Sequence, residues 1–247
     1  LTSDGGYIIG AAQNTVIKTD STGLIQWYQK LSYSVAHYVE DVIQTSDGDY
    51  IVVGGAGGDP IGGHAVQGKA FILRMSEGGG VQWIKRYGIL NTPMNSFWGV
   101  VEADDGGFAL AGEKLEDRNF EFYDHFWVMK TDANGDEEWS IESGGNKWDE
   151  ARDIVKLSDG SFIVAGKISL SSTNINMRVM RISSSGDILW QNNHGNNNYD
   201  TATSMTLTQN EDVVVLVGYT RSSSGNPFKY RIWGVDVASG QVLWNRI

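Results

Sequence analysis

Cysteine is absent from the 247 residues. That excludes a disulfide framework, a thiolate nucleophile and any cysteine-ligated metal. Proline is scarce, with 3 residues, and so is positive charge: 19 Lys and Arg face 30 Asp and Glu, for a net charge of -11. Nucleic-acid binding needs a basic footprint and an anionic membrane surface attracts basic segments, so both partners are disfavoured. Long apolar runs are missing too. The longest aliphatic stretch, Val213 to Val217, falls far short of a membrane span and argues against insertion. No signal peptide is visible and the first residue is Leu1 rather than Met, so we expect a longer native chain.

Glycine is plentiful at 31 residues, against a usual share of about 7%. Aromatics make up 11%, a load that disordered glycine-rich chains lack. Short strands joined by glycine turns fit this balance. The length suits one large domain over residues 1–247.

Internal repetition sets the architecture. One anchor is a turn, a β run and a glycine: Ser3-Asp4-Gly5-Gly6-Tyr7-Ile8-Ile9-Gly10. It recurs at Ser46 to Gly54, Asp104 to Gly112 and Ser158 to Gly166, and in degenerate form at Gln209 to Gly218. The second anchor is a tryptophan four residues after a glycine, or three after it in the second copy. These are Trp27, Trp83, Trp139, Trp190 and Trp244, spaced 51 to 56 residues apart. Repeats of about 1–34, 35–90, 91–145, 146–195 and 196–247 follow.

Each repeat reads as four short strands. Strand a (Glu40 to Gln44, Arg152 to Lys156) leads through an Asp-Gly turn, which supplies positive φ cheaply, into strand b. A variable loop leads to strand c, such as Phe126 to Lys130, and a glycine turn to strand d with its tryptophan. No window shows a 3.6-residue period, so almost no helix is expected. Tandem four-stranded units of this length predict an all-β fold, a β-propeller of five repeats. The first repeat lacks its innermost strand, so its open edge is expected to pair with another chain or with sequence outside these residues.

The units Thr2 to Ile9 and Lys18-Thr19-Asp20-Ser21-Thr22-Gly23-Leu24-Ile25-Gln26-Trp27 resemble secreted propeller-repeat proteins of the quinoprotein-like (PQQ-like) type. Asp236-Val237-Ala238-Ser239-Gly240-Gln241-Val242-Leu243-Trp244 is the copy most similar to the quinoprotein tryptophan-docking motif. The resemblance implies a propeller fold, an extracellular or cell-surface setting, and tryptophans that staple blades. It implies no cofactor, since the quinoprotein enzymes' cysteine pair is impossible here.

In a propeller the b–c and d–a connections share one face, and here they are long and unequal. On that face the candidate ligand-binding residues are Tyr33, His37, Trp98, Tyr123, His125, Trp148, Asp149, His194, Tyr199 and Asp200. Exposed aromatics and carboxylates on loops over a rigid scaffold suit ligand recognition. Asp149 and Asp200 align at the entry to strand a, where they either line the channel or cap backbone N–H groups. The acid-rich turn at Asp132, Asn134 and Asp136 alternates oxygen ligands as a calcium loop would, yet its glycine stands fourth and the other copies do not repeat the acids. The four histidines show no local metal spacing. No G-x-S-x-G elbow or phosphate loop is present. The expected function is a non-enzymatic extracellular interaction or structural module for a protein or glycan. A lectin-like propeller and a single-site hydrolase over the channel are the alternatives.

Overall fold

The computed structural model describes residues 1–11, 13–32, 38–56, 68–88, 95–118, 121–144, 148–171, 173–195, 199–222 and 225–247. Among these the chain is all-β, with nineteen strands. The first unit holds β1 (Tyr7–Ala11), β2 (Thr15–Thr19) and β3 (Ile25–Lys30). The second holds β4 (Tyr38–Gln44), β5 (Tyr50–Ala56), β6 (Lys69–Met75) and β7 (Val81–Tyr87). The third holds β8 (Ser96–Glu102), β9 (Phe108–Arg118), β10 (Glu121–Thr131) and β11 (Glu137–Gly144). Then come β12 (Glu150–Lys156), β13 (Phe162–Ser171), β14 (Asn174–Ile182) and β15 (Ile188–His194). The last unit is β16 (Tyr199–Leu207), β17 (Val213–Arg221), β18 (Lys229–Asp236) and β19 (Val242–Arg246).

Strands within a unit pair antiparallel with their chain neighbours. A single parallel bridge, Ile175 to Tyr199, joins the fourth and fifth units into one sheet. The first unit is a three-stranded sheet with β1 at its edge. The first strands of successive units lie side by side, β4 by β8, β8 by β12 and β12 by β16. Aspartates stitch them. Asp41 accepts the Val100 N–H at 3.1 Å, and Asp153 accepts the Met205 N–H at 2.6 Å.

An apolar core separates each unit from the next. Between the fourth and fifth it joins Ile163, Ala165, Met177 and Val179 to Ala202, Met205, Val214 and Leu216. Between the second and third, Ile51, Val53 and Ile72 meet Phe97, Phe108, Leu110 and Trp127. Inner units are therefore buried on both faces, which explains why their b and c strands read as continuous apolar runs.

The Asp-Gly anchors do two jobs. Their glycines, such as Gly5 and Gly160 at φ 80°, close three-residue hairpin loops in the left-handed region. The degenerate fifth copy puts Glu211 there instead, at φ 55°. Their aspartates also clamp a cation on strand c. Asp4 holds Lys18, Asp47 holds Arg74, Asp105 holds Lys130 and Asp159 holds Arg181. Lys130 is buried and also reaches Glu138 at 2.8 Å. Lys130→Ala is expected to cost about 2 kcal/mol in urea unfolding, below the usual price of breaking a buried pair, because Asp105 and Glu138 stay exposed to water.

Three sequence expectations change. The connections to strand c over Glu113 to His125 and Ile168 to Asn176 are mostly extensions of the paired strands β9–β10 and β13–β14 rather than loops, whereas between Tyr219 and Tyr230 only the ends extend β17 and β18. The register also pairs Gly54 with Phe71 and Ala11 with Thr15, so Ala11, not Gly10, is the first unit's counterpart of Gly54. Finally, the glycine at positive φ before Trp83 is Gly79, which restores the four-residue spacing in every copy.

Candidate functional site

The first strands of the four complete units each carry a bulge. The registers skip Glu40, Trp98, Arg152 and Thr203. An extra residue at a bulge re-aims its side chain. Here the Arg152 guanidinium stacks on the Trp98 ring, 4.2 Å from its centroid. The buried Trp98 indole N–H has no hydrogen-bond partner among the described residues.

Next to this stack, oxygens of Glu113 on β9, Asp124 on β10 and Glu150 on β12 lie within 4.8 Å of one another. Glu113 and Glu150 are buried. Glu150 is ion-paired with Arg152 and, at 2.9 Å, with Lys167. Two cations already neutralise it, so the group is poorly suited to bind a further cation. Burial works against the Lys167 ammonium, but Glu150 outweighs it and raises the lysine pKa. Burial, with the charges of Glu150 and Asp124 behind it, pushes Glu113 up to about 8. Burial and Glu150 raise Asp124 as well. The arrangement sets a carboxyl that holds its proton at neutral pH beside an ion-paired carboxylate, a proton donor beside an acceptor.

Trp148 lies against this group. Its backbone N–H donates to Asp124 Oδ2 at 3.0 Å, and its backbone takes φ 76°. Its side chain is 49% exposed. A bulky residue in the left-handed region is strained, and such strain collects at functional sites.

The other candidates scatter. Tyr33 and His37 lie outside the described residues. Asp149 is fully buried, and its carboxylate takes the Ser169 N–H at 2.5 Å. Asp200 is buried too and pairs with Arg231 at 3.1 Å. Both hold backbone or a neighbouring strand in place. Asn95, at the same point of the third unit, does likewise, accepting the Leu115 N–H at 2.9 Å. His194 reaches across to the Gly240 carbonyl at 2.9 Å, and burial lowers its pKa. His125 approaches Glu116 at 3.2 Å, and the Tyr123 hydroxyl donates to Glu121 at 2.8 Å. Tyr199 stacks on Tyr219 at 5.9 Å with Phe228 edge-on to both, forming an aromatic cavity of about 400 Å³ with Lys229 and Tyr230.

In the acid-rich turn, Asp132 Oδ1 accepts the Asn134 and Asp136 N–H groups at 2.8 Å each, and Asp136 pairs with Lys85 at 2.7 Å. Those oxygens are engaged in the turn and its junction.

Four repeat tryptophans rest on the next unit. Trp27 covers Gly79, Trp83 covers Gly135, Trp139 covers Gly186 and Trp190 covers Gly240. The indoles of Trp139 and Trp190 also donate to the carbonyls of Ser184 and Val237, at 3.0 and 3.1 Å. Trp244 instead leans over Gly234 of its own unit.

The sequence marks Trp98 and Trp148 as candidates on the face of the long connections, but nothing in it groups Glu113, Asp124, Glu150, Arg152 and Lys167.

No protein-family profile and no curated protein matches the chain. A solved structure described as "Crystal structure of the eukaryotic initiation factor" aligns at TM-score 0.43 and 7% identity, covering 99% of this chain and 63% of that one. The chain thus spans less than two thirds of that structure. A likeness of this size carries no argument about function.

Proposed function

We propose that the chain is a β-propeller module, five blades with the first lacking its innermost strand, that works by binding rather than catalysis. The side-by-side inner strands and the apolar core at every junction support the propeller reading. The partner is a protein or glycan, met outside the cell or at its surface; that setting rests on the resemblance to secreted propellers alone. The binding face is the mouth formed by Trp98, Arg152, Trp148 and the Glu113–Asp124–Glu150 group. The opposite face is made of tight turns whose carboxylates bond their own backbone, as Asp20 does with Thr22 and Leu24.

The observation that carries the reading is Trp148, half exposed and in a strained backbone whose N–H is bonded to Asp124 of the carboxyl group. A flat aromatic face next to hydrogen-bonding carboxyls suits a sugar ring or a peptide side chain equally. Trp148→Gly relieves the strain and removes the ring. Its stability should hold or rise by up to about 1 kcal/mol, while affinity for a ligand found by glycan array or surface-proteome capture falls at least tenfold. Unchanged affinity would place binding elsewhere, with the Tyr199–Tyr219–Phe228 cavity next in line.

A hydrolase reading has one observation in its favour, the off-centre group of perturbed carboxyls at Glu113 and Asp124 beside Glu150. Oxygens within 4.8 Å of one another fall inside the roughly 5 Å reach of the carboxyl pair in retaining glycosidases. Turnover of aryl glycosides that Glu113→Gln abolishes would move it ahead.

A further inference from the structure

The five tryptophans and five turn glycines do not pair off evenly. Four tryptophans cap the positive-φ glycine of the following unit. Trp244 has no such seat and is 37% exposed. At the other end Gly23, with φ 86°, is the matching turn glycine, and no described atom lies within 4 Å of where its Cβ would stand. One knob and one seat are left over.

The sheet faces around them are left over in the same way. On the fourth unit, Ile163, Ala165, Met177 and Val179 face the fifth and are buried. By register their counterparts on the fifth unit are Val215, Val217, Tyr230 and Ile232. Of these Val217 and Ile232 are each 42% exposed and Tyr230 is 88% exposed. On the first unit Tyr7 and Ile9 stand where Tyr50 and Val52 stand in the second. Tyr50 and Val52 are fully buried, whereas Tyr7 and Ile9 are 44% and 43% exposed. A monomeric soluble surface rarely offers such contiguous apolar faces unless something covers them.

We infer that a second copy of this chain docks head to tail, setting Trp244 and the β17–β18 face of one copy on Gly23 and the β1–β2 face of the other. The argument is continuity. The two open faces are the two halves of one interface that the chain already builds at each internal junction, so each is shaped for the other. At that contact the Trp244 indole N–H reaches the Ser21 carbonyl, the counterpart of the Ser184 carbonyl that Trp139 uses. Such a contact is heterologous, so it closes into a ring or continues as a filament according to the rotation between copies. The inference is independent of the ligand at the mouth.

Light scattering coupled to size-exclusion chromatography on the 247-residue chain tests it. Assembly beyond the monomer, growing with concentration, is expected. Ile232→Asp removes the knob face and Ile9→Asp the seat face. Each alone should be monomeric, and an equal mixture should form a heterodimer and nothing larger, because one functional contact remains. Tyr230→Asp and Tyr7→Asp serve as second variants, and circular dichroism confirms that each folds. A chain that stays monomeric at millimolar concentration overturns the inference. So does an oligomer that these variants leave intact, or a mixture that does not associate.

Discussion

Gly166→Ala is expected to destabilise the fold by about 3 kcal/mol or more, with little change in the urea m value. A Cβ at Gly166 would overlap the Glu150 carbonyl oxygen of the neighbouring strand. The obstacle is backbone inside a paired ladder, next to the bulge between Ala151 and Asp153, so no side chain can swing aside. Gly54, Gly112 and Gly218 stand in the same relation to the carbonyls of Tyr38, Ser96 and Thr201. The first unit supplies the control. Among the described residues no strand pairs with that side of β1, and its counterpart residue is Ala11. Ala11→Gly should therefore cost less than about 1 kcal/mol, the ordinary entropic penalty of glycine in a strand. A loss below 1 kcal/mol for Gly166→Ala would mean that the inner strand moves freely, and would remove the basis for a rigid mouth.

Glu113 should make the protein less stable as pH rises. Its carboxyl has an ordinary value of 4.5 and is pushed up to about 8 in the folded chain, first by burial and then by Glu150 and Asp124. Between those values the folded state holds a proton that the unfolded state has released. Stability from this group is therefore complete below 4.5 and lost as pH climbs through about 8. Each unit of displacement is worth about 1.4 kcal/mol, so the loss from acid to alkaline pH is on the order of 5 kcal/mol. Glu113→Gln keeps the shape and cannot ionise. It should match the natural protein near pH 4.5 and exceed its stability by roughly 5 kcal/mol near pH 9. Asp124, Asp41 and Asp153 are raised by burial too, so the natural protein has a slope from several groups. The difference between the two proteins isolates Glu113. Parallel melting-temperature curves across pH would show that water reaches the group and that its proton is not retained. A stabilising substitution at this place is what a site held for function rather than stability predicts.

The repeat itself was legible because each anchor acts locally. An Asp-Gly pair can close its hairpin without help from the rest of the chain, and Gly5, Gly48, Gly106 and Gly160 all take positive φ. The tryptophans were legible through regular spacing. The misalignment of Gly10 with Gly54 had a physical cause: one residue type serves two needs. Gly54 is required by the strand packed beside it, and where that strand is absent the need disappears.

The proposed site was only half legible. Trp98 and Trp148 stood out as aromatics near unit boundaries. Asp149 and Asp200 stood out as well, yet their carboxylates are committed to Ser169 and Arg231. Glu113, Asp124 and Glu150 come from three strands of two units and share no spacing that a sequence pattern could flag.

By itself the sequence determined what depends on neighbours along the chain: an all-β fold, its period, its hairpin turns and a chain that is acidic overall. Only the tertiary structure decided which charges meet. The bulges in β8 and β12 bring Arg152 over Trp98, and the packing of the third unit on the fourth brings Glu113 to Glu150. Turn chemistry acts over a few residues, whereas burial and charge act through space. A carboxyl acquires its unusual pKa only when the fold removes its water and sets another carboxylate beside it.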